Sequence, residues 1–209
     1  YALCTLSDAN ARRPESIFES IYRHLYATYR DELSSDSRKK LVPKWLYRLQ
    51  IIDSTTITLF SNLIFKGAGR HPKSGKKKGG IKVHVNIHAN ESVPSDVCFT
   101  SAATNDSFML MPTKYDSGDI LTLDRAYINY AKFEELTRRG VIYVTKMKKN
   151  LVYETVEDIM YVSPDGLVEY RVQQVIFRKK VKDGEDIVHN ARIITYADIR
   201  KTRVKLVSL

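Results

Sequence analysis

Two uncharged, largely apolar runs, each ending on an aspartate, constrain this chain more than any other feature. The first run extends from Leu49 to Asp53, and the second, from Ile120 to Asp124, follows a Ser-Gly turn signal. An apolar run that stops abruptly at a charge is typical of a strand buried on both faces that emerges at the edge of a sheet. Ligands of open α/β sheets bind at the carboxyl ends of such strands, so Asp53 and Asp124 are the leading candidates for chemistry.

Each aspartate taken alone also has a simpler explanation. An Asp at a strand end is most often a turn or cap residue whose carboxylate accepts a nearby backbone N–H. Taken as a pair, Asp53 and Asp124 favour a shared metal site, because two carboxylates a few ångström apart repel each other unless a cation lies between them. Hard oxygen ligands of this kind favour Mg²⁺ or Mn²⁺. Both explanations remain open from the sequence.

The charge of the chain predicts a polyanionic partner. Lys and Arg outnumber Asp and Glu by 34 to 24, which gives a net charge of +10, and such an excess favours association with polyanions. The bias is strongest over residues 66–82, a glycine-rich stretch without an acid that is expected to form a surface loop. This loop is either a solvated hairpin tip or an arm that contacts DNA phosphates. Its cations are Lys66, Arg70, Lys73, Lys76, Lys77, Lys78 and Lys82.

Several classes of protein are not supported. Cys4 and Cys98 are the two cysteines, and the absence of a CxxC pair argues against a disulfide framework or a structural zinc site. No apolar run approaches the roughly 18 residues that a membrane helix needs, and no secretory signal is visible. A reducing cytoplasm is therefore the expected location. Because the chain begins at Tyr1 rather than Met, it is expected to be a piece of a longer protein.

The spacing of apolar residues predicts an amphipathic helix over residues 15–30. Ile17, Ile21, Leu25 and Tyr29 recur every fourth residue, and aromatic residues occupy the adjoining row. A stripe of this kind usually faces the core of a globular domain. We therefore predict that it is buried.

After residue 48 the pattern predicts strands. Residues 81–89 alternate apolar and polar side chains, with His84 and His88 on the polar face, where hydrogen bonding is favoured over metal ligation because Mg²⁺ prefers oxygen. Asn105 or Asp106 is expected to cap a short helix that ends at Pro112, and Asn129 a helix that Gly140 closes. The predicted order is β-β-β-α-β-α-β, an α/β mixed sheet, followed by four strands at 151–161, 167–177, 187–196 and 204–209.

Five motifs in this order resemble the IS4-family transposases of bacterial insertion sequences. They are Ile52-Asp53-Ser54-Thr55, Lys78 to His84, Asn105-Asp106, Leu123 to Tyr127, and Tyr143 to Asn150. The order of elements also resembles the ribonuclease H-like fold of DDE transposases and integrases. The resemblance extends from about residue 50 to the end of the chain.

The resemblance implies a mixed sheet formed by an antiparallel meander followed by a βαβ unit. Together with the helix predicted upstream and the change of pattern after Lys146, it divides the chain into an N-terminal helical segment at 1–48, the first part of the catalytic core at 49–146 and a β-rich insertion at 147–209. Asp53 and Asp124 match the first two carboxylates of an Asp-Asp-Glu triad that works with Mg²⁺ or Mn²⁺. The third carboxylate lies on a helix after the insertion in that family, and no Glu here matches it. We therefore expect the chain as given to have an incomplete active site and little cleavage activity.

The implied function is Mg²⁺-dependent cleavage and joining of DNA at insertion-sequence ends. The implied partner is double-stranded DNA, bound by a homodimer in the bacterial cytoplasm in association with the nucleoid. In addition to the basic loop, Arg125, Lys146, Lys148 and Lys149 are expected to contact phosphates, although Arg125 has a salt bridge to a neighbouring acid as an alternative. Two other functions remain open, a catalytically inactive nucleic-acid-binding domain and a nuclease of the same fold.

Overall fold

The fold is built on one long sheet. A computed structural model describes residues 5, 8–9, 12–33, 43–58, 80–91, 93–164, 166, 168–181, 185–198 and 203–208, with the backbone alone at 31, 196–198 and 203–208. The strands are β1 (Leu49–Thr58), β2 (Gly80–His88), β3 (Pro94–Ser101), β4 (Ile120–Leu123), β5 (Ile142–Lys146), β6 (Glu154–Val162), β7 (Val168–Lys179), β8 (Ile187–Asp198) and β9 (Arg203–Ser208). Helix α1 spans Ser16–Tyr29 and helix α2 spans Tyr130–Arg138.

The first five strands have the ribonuclease H-like arrangement that the resemblance implied. Strands β1, β2 and β3 form an antiparallel meander, whereas β4 pairs parallel with β1 on its other side and β5 pairs parallel with β4. The strand order in this part of the sheet is therefore β3-β2-β1-β4-β5. The predicted mixed α/β fold is confirmed, and the carboxyl ends of β4 and β5 lie beside the middle of β1, at Ile52 and Asp53.

Helix α2 covers one face of these parallel strands. Alternate side chains of β1, β4 and β5 are buried, and Ile52, Leu121, Leu123 and Tyr143 among them share an apolar cluster with Phe133 and Leu136 of α2. The intervening side chains, such as Ile51, Thr122 and Ile142, are exposed on the opposite face. The sheet is thus packed on one side and open on the other among the described residues. The buried cluster consists of Ile52, Leu110, Tyr115, Leu121, Leu123, Tyr127, Phe133, Leu136, Val141 and Tyr143.

The predicted caps are present, although one predicted helix is shorter than expected. The Asn129 side chain accepts a hydrogen bond from the N–H of Lys132 at 3.3 Å, and Gly140 follows α2 with a φ of 75°. Asn105 also caps as predicted, but the segment after it forms two 3₁₀ turns, Asp106–Phe108 and Pro112–Lys114, rather than an α-helix. Pro112 lacks the N–H that would continue the ladder, so only short turns fit.

Helix α1 forms as predicted, but the prediction that its apolar stripe is buried is wrong. Ile17, Leu25 and Tyr29 are 44%, 48% and 52% exposed, and no residue of the helix is buried. Hydrogen bonds from Tyr26 to Glu91 and from Tyr22 to the Pro94 carbonyl join α1 to the β2–β3 end of the sheet. Periodicity predicts that a helix has an apolar face, but it does not show whether another element covers that face.

The β-rich part of the chain continues the same sheet. Strand β9 pairs antiparallel with both β5 and β8, so β6 to β9 extend the sheet beyond β5 in the order β9-β8-β7-β6. A second apolar cluster of Val175, Phe177, Ala191 and Ile193 packs against Tyr130 of α2. Because one sheet runs through both regions, the proposed boundary at residue 146 stays a prediction. In the part of the chain that the structure describes, no helix is long and apolar enough to span a membrane.

Candidate active site

Asp53 and Asp124 are neighbours where the parallel pairing of β1 and β4 ends, Asp53 in the middle of β1 and Asp124 directly after β4. Ile52 of β1 pairs with Leu123 of β4, and the next residue on each strand is the aspartate. Paired residues of neighbouring strands point to the same face of a sheet. Ile52 and Leu123 are buried whereas both aspartates are exposed, so the two carboxylates share the open face of the sheet.

An open cleft of about 460 Å³ lies over this face. Its walls come from the middle of β1 and the carboxyl ends of β4 and β5, and it contains both aspartates and Lys146. The side chains around them are apolar or hydroxylic, so the charged groups of the cleft are two carboxylates and one ammonium. The lining residues are Ile51, Ile52, Asp53, Thr122, Leu123, Asp124, Val144, Thr145 and Lys146.

Each aspartate also accepts one local backbone hydrogen bond within the described residues. Asp53 Oδ1 accepts from the N–H of Ser54 at 2.7 Å, and Asp124 Oδ2 accepts from the N–H of Ala126 at 3.3 Å, capping a 3₁₀ turn at Arg125–Tyr127. The simpler explanation from sequence, a cap at the strand end, therefore holds for Asp124. It does not exclude a ligand role, because the second oxygen of each carboxylate makes no hydrogen bond to a described residue.

Behind the two aspartates lies a group of hydrogen-bonded side chains that we call the polar cluster, defined as Ser54, Lys82, His84, Asp106 and Tyr127. Asp106 Oδ1 accepts from Ser54 Oγ and forms an ion pair with Lys82 Nζ, both at 3.0 Å. His84 Nδ1 lies 3.1 Å from the Tyr127 hydroxyl, and His84 Nε2 lies 2.9 Å from Thr100 Oγ1. The group is largely enclosed, since the side chains of His84, Lys82 and Asp106 are 5%, 11% and 13% exposed.

Enclosure changes the acid–base behaviour of two members of the polar cluster. Burial raises the pKa of Tyr127 to about 12, the hydrogen bond with Ser54 opposes this, and the negative charges of Asp106, Asp53 and Asp124 add to it. Burial lowers the pKa of His84 despite the opposing charge of Asp106, and Lys82 lowers it further. Tyr127 is therefore a neutral hydroxyl and His84 a neutral imidazole near pH 7.

The remaining predicted residues fall into three groups. Lys82 is paired with Asp106 and has little exposed charge for a phosphate, whereas Arg125, Lys146, Lys148 and Lys149 are exposed around the cleft end of β4 and β5. Arg125 makes no ion pair with a described acid, so the alternative of a salt bridge finds no support there. The other basic residues of the loop lie outside the described residues, namely Lys66, Arg70, Lys73, Lys76, Lys77 and Lys78.

The described residues supply two carboxylates to the cleft and no third. No group of three or more His, Cys, Asp or Glu side chains among them is arranged to hold a metal ion. His84 faces away from the aspartates and hydrogen-bonds with Tyr127 and Thr100, which agrees with the prediction of a hydrogen-bonding role. The sequence did not predict the polar cluster, although all five of its members occur in the motifs that carried the resemblance.

The parallel strands and the two adjacent carboxylates agree with what is expected of the DDE class, and comparison with known families supports this class. The family described as the transposase DDE domain matches residues 44–205. This match covers most of the chain, including β1 to β8. The chain belongs to the transposase DDE domain family.

Individual relatives agree with this assignment. A putative transposase, y4zB, from Sinorhizobium fredii is 27% identical over 146 residues, which are 70% of this chain and 37% of the relative. A probable transposase for insertion sequence element IS5377 from Geobacillus stearothermophilus is 25% identical over 142 residues, which are 68% of this chain and 35% of the relative. The chain thus spans little more than a third of the length of these relatives.

A structural comparison matched a solved transposase. It is the piggyBac transposase in a synaptic complex with hairpin DNA, with a TM-score of 0.37 and 10% sequence identity over 77% of this chain and 32% of that one.

Proposed function

We propose that this chain forms part of the catalytic core of a DNA transposase of the insertion-sequence type, close to the IS4 family. In this proposal Asp53 and Asp124 are ligands of Mg²⁺ or Mn²⁺ at a centre that cleaves and joins DNA strands. The observation that carries the proposal is the placement of both carboxylates after a paired Ile52 and Leu123, in one open cleft. The family assignment supports the reaction class.

The donor set fits a hard divalent cation. Both groups are carboxylates, both are exposed, and each retains one oxygen without a hydrogen bond to a described residue. Mg²⁺ and Mn²⁺ prefer such oxygen ligands and commonly bind through one or two carboxylates plus water and substrate phosphates. When bound, such ions lower the pKa of the attacking hydroxyl and stabilise the charge of phosphoryl transfer. The protein contributes the paired backbones of β1 and β4, which hold the two carboxylates side by side.

The open face of the sheet leaves room for the third carboxylate that the resemblance implies. Beside the aspartates, Ile51 and Ile142 are 40% and 50% exposed on that face, which is apolar enough to pack against a further helix. We propose that a helix carrying the third carboxylate packs there. The second candidate function, an inactive nucleic-acid-binding domain, is favoured by the presence of only two carboxylates among the described cleft residues.

DNA would approach the cleft along the exposed cations at the ends of β4 and β5. Lys146 lines the cleft itself, and Arg125, Lys148 and Lys149 are exposed next to it. Such residues fix the position of a duplex through its phosphates without reading its sequence. In this proposal the basic loop at 66–78 contributes further phosphate contacts, and Lys82 does not, because its charge is paired with Asp106.

The DNA part of the proposal can be tested through the salt dependence of binding. Replacing Lys146 and Lys148 by Ala should weaken binding to duplex DNA and reduce the slope of log K against log salt by ~1.8, at ~0.9 for each lost phosphate contact. The measurement is fluorescence anisotropy of a labelled duplex at several salt concentrations.

The charge-matched control replaces Lys44, in the turn before β1, and Arg138, the last residue of α2 before β5; both are exposed. This double variant loses the same charge but should keep the wild-type slope. An equal loss of slope in both double variants would show that binding follows net charge alone, and it would remove the cleft as the DNA site.

A further inference from the structure

The polar cluster and the proposed metal ligands lie on opposite faces of the sheet. Successive residues of a strand point to opposite faces, so Ser54 points away from the cleft that Asp53 faces. Ser54 pairs with His84 across the β1–β2 ladder, and Lys82 lies two residues earlier on the same face of β2. The cluster therefore belongs to the covered face of the sheet, immediately behind the two carboxylates.

At one end of the polar cluster, Asp106 holds Ser54, whose backbone N–H is the hydrogen-bond donor that orients Asp53. The backbone N–H of Ser54 donates to Asp53 Oδ1 at 2.7 Å, and the side chain of the same serine donates to Asp106 Oδ1 at 3.0 Å. Asp106 is in turn held by the ammonium of Lys82. A change at the Ser54 side chain would thus shift the amide on which the Asp53 carboxylate rests.

The other end fixes the turn that orients Asp124. The Asp124 carboxylate caps the 3₁₀ turn at Arg125–Tyr127, where it accepts from the N–H of Ala126, and the Asp124 carbonyl accepts from the N–H of Tyr127 at 3.0 Å. The Tyr127 side chain is fully buried and its hydroxyl lies 3.1 Å from His84 Nδ1. The tyrosine therefore anchors the turn from beneath.

The residues that hold Ser54 and Tyr127 lie next to each other in the middle of the polar cluster. His84 Nδ1 lies 3.8 Å from Asp106 Oδ1, so the imidazole that holds Tyr127 is next to the carboxylate that holds Ser54. An enclosed ion pair such as Lys82–Asp106 adds little net stability compared with apolar packing, but it is strongly destabilising to break. Enclosed hydrogen-bonded networks of this kind restrict their members to a single geometry.

We infer that the polar cluster is a positioning device that sets the orientation of Asp53 and Asp124 from behind the sheet. Ser54 positions Asp53 and Tyr127 positions Asp124. The other three members, Asp106, Lys82 and His84, connect Ser54 with Tyr127. This inference rests on the proposed function, because it assigns residues that support the same metal site. Groups behind the ligands of a metal typically affect its affinity ~10- to 100-fold.

Two conservative variants and one matched control test the inference in the 209-residue chain. Tyr127→Phe removes one buried hydroxyl, and Ser54→Ala removes the other anchor. The control is Tyr143→Phe. Tyr143 is buried in the same apolar cluster as Tyr127, but its hydroxyl hydrogen-bonds with His189 Nε2 at 2.5 Å and not with the polar cluster. Two quantities are measured for each variant, the hydrogen-exchange rates of the Ser54 and Ala126 amides by NMR without metal, and the Mn²⁺ dissociation constant by titration.

The inference predicts that the Ala126 amide exchanges about fivefold faster in Tyr127→Phe, and that the amide of residue 54 exchanges about fivefold faster in Ser54→Ala. This factor corresponds to the loss of the net contribution of one hydrogen bond. The Mn²⁺ dissociation constant should rise roughly tenfold in both. Tyr143→Phe should lower the free energy of unfolding without either effect. Wild-type exchange at both amides in the two test variants, or equal effects of the control, would overturn the inference.

The two measurements separate this inference from the proposed function. If wild-type protein binds no Mn²⁺ that depends on Asp53, the metal site fails, while the exchange rates still decide whether the polar cluster positions the two carboxylates. If Tyr127→Phe does not fold, Ser54→Ala decides alone, because its serine is at the edge of the cluster and only part-buried.

Discussion

At the scale of single residues, the observed capping role of Asp124 is compatible with its proposed role as a metal ligand. Its carboxylate caps the turn that follows β4, and the same carboxylate faces the cleft beside Asp53. A cap fixes the side chain in one rotamer, which lowers the entropy lost when a ligand binds. The capping hydrogen bond from Ala126 therefore supports a ligand role rather than competing with it.

The buried imidazole of His84 gives a prediction for the dependence of stability on pH. Burial lowers the pKa of His84 below its ordinary value of 6.5, so between these two pKa values the unfolded chain binds more protons than the folded chain. Stability should therefore fall as the pH decreases through about 6.5. The groups that face the ring are Asp106, Lys82, Tyr127 and Thr100.

Urea unfolding of wild type and His84→Gln at pH 8 and pH 5.5 measures this contribution. Wild type should lose more stability between the two pH values than the variant, because the variant lacks the titrating ring. The other histidines are common to both proteins and their effects cancel in the difference. Equal losses would show that the His84 pKa is the same in the folded and unfolded chains.

The sequence predicted the residues of the cleft better than those behind it. Asp53 and Asp124 could be predicted because each ends an apolar run, and residues that follow such runs on neighbouring parallel strands lie near each other. Ser54, His84 and Asp106 could not be brought together, because their contact depends on the Ser54–His84 register and on the path of the chain after β3. Residues 59–79 lie outside the described residues, so the DNA contacts predicted for the basic residues at 66–78 stay predictions.

At the scale of elements, the turn after α2 sets the start of β5 and hence the cleft at its far end. The N–H of Gly140 donates to the Thr137 carbonyl and the N–H of Val141 to the Leu136 carbonyl, both at 3.0 Å, which is the Schellman pattern. Gly140 has a φ of 75°, and a Cβ added there would lie 2.6 Å from Ser117 Oγ. Glycine is required here for its conformation and for space.

Two substitutions separate these requirements. Gly166 has a similar φ of 68° but no atom within 4 Å of an added Cβ. Gly166→Ala should therefore lower the free energy of unfolding by about 1–2 kcal/mol, the cost of the left-handed conformation alone, and Gly140→Ala should lower it further. The free energies come from urea denaturation. A smaller effect at Gly140 than at Gly166 would refute the steric contribution.

Elements differ in how much of their packing the sequence encodes. Asn129 and Gly140 fixed the ends of α2 because capping is a local interaction, and the predicted strands of the insertion agree with β6 to β9 within a few residues. The stripe of α1 has the periodicity of a core helix yet remains exposed. Periodicity predicts an apolar stripe, but it does not specify whether another element packs against that stripe.

At the scale of the whole molecule, the sheet joins the site to the β-rich strands. Strand β9 pairs with β5, whose last residue Lys146 lines the cleft. The ring of Phe177 on β7 stacks on Tyr130 of α2 with centroids 4.9 Å apart. His189 of β8 is fully buried and hydrogen-bonds with both Tyr143 and Glu134. These contacts predict that the described sheet unfolds as one unit.

Two side-chain substitutions, one in each apolar cluster, test whether the sheet unfolds cooperatively. Phe177→Ala removes a buried ring from the second apolar cluster, and Leu136→Ala removes a buried side chain from the first. Each should lower the free energy of unfolding by about 2–5 kcal/mol, and both should shift a single transition seen alike by circular dichroism and tyrosine fluorescence. Two separate transitions, one sensitive to each variant, would show that the β-rich strands fold independently.

The most direct test of the central proposal is whether one divalent ion reaches both aspartates. Mn²⁺ titrated into the chain should broaden the amide signals of Ser54 and Ala126 with one common midpoint. Asp53→Asn and Asp124→Asn should each raise the dissociation constant at both signals by about tenfold or more, whereas Asp116→Asn, an exposed aspartate before β4, should not. Different midpoints at the two amides, or wild-type affinity in either variant, would contradict a shared metal site.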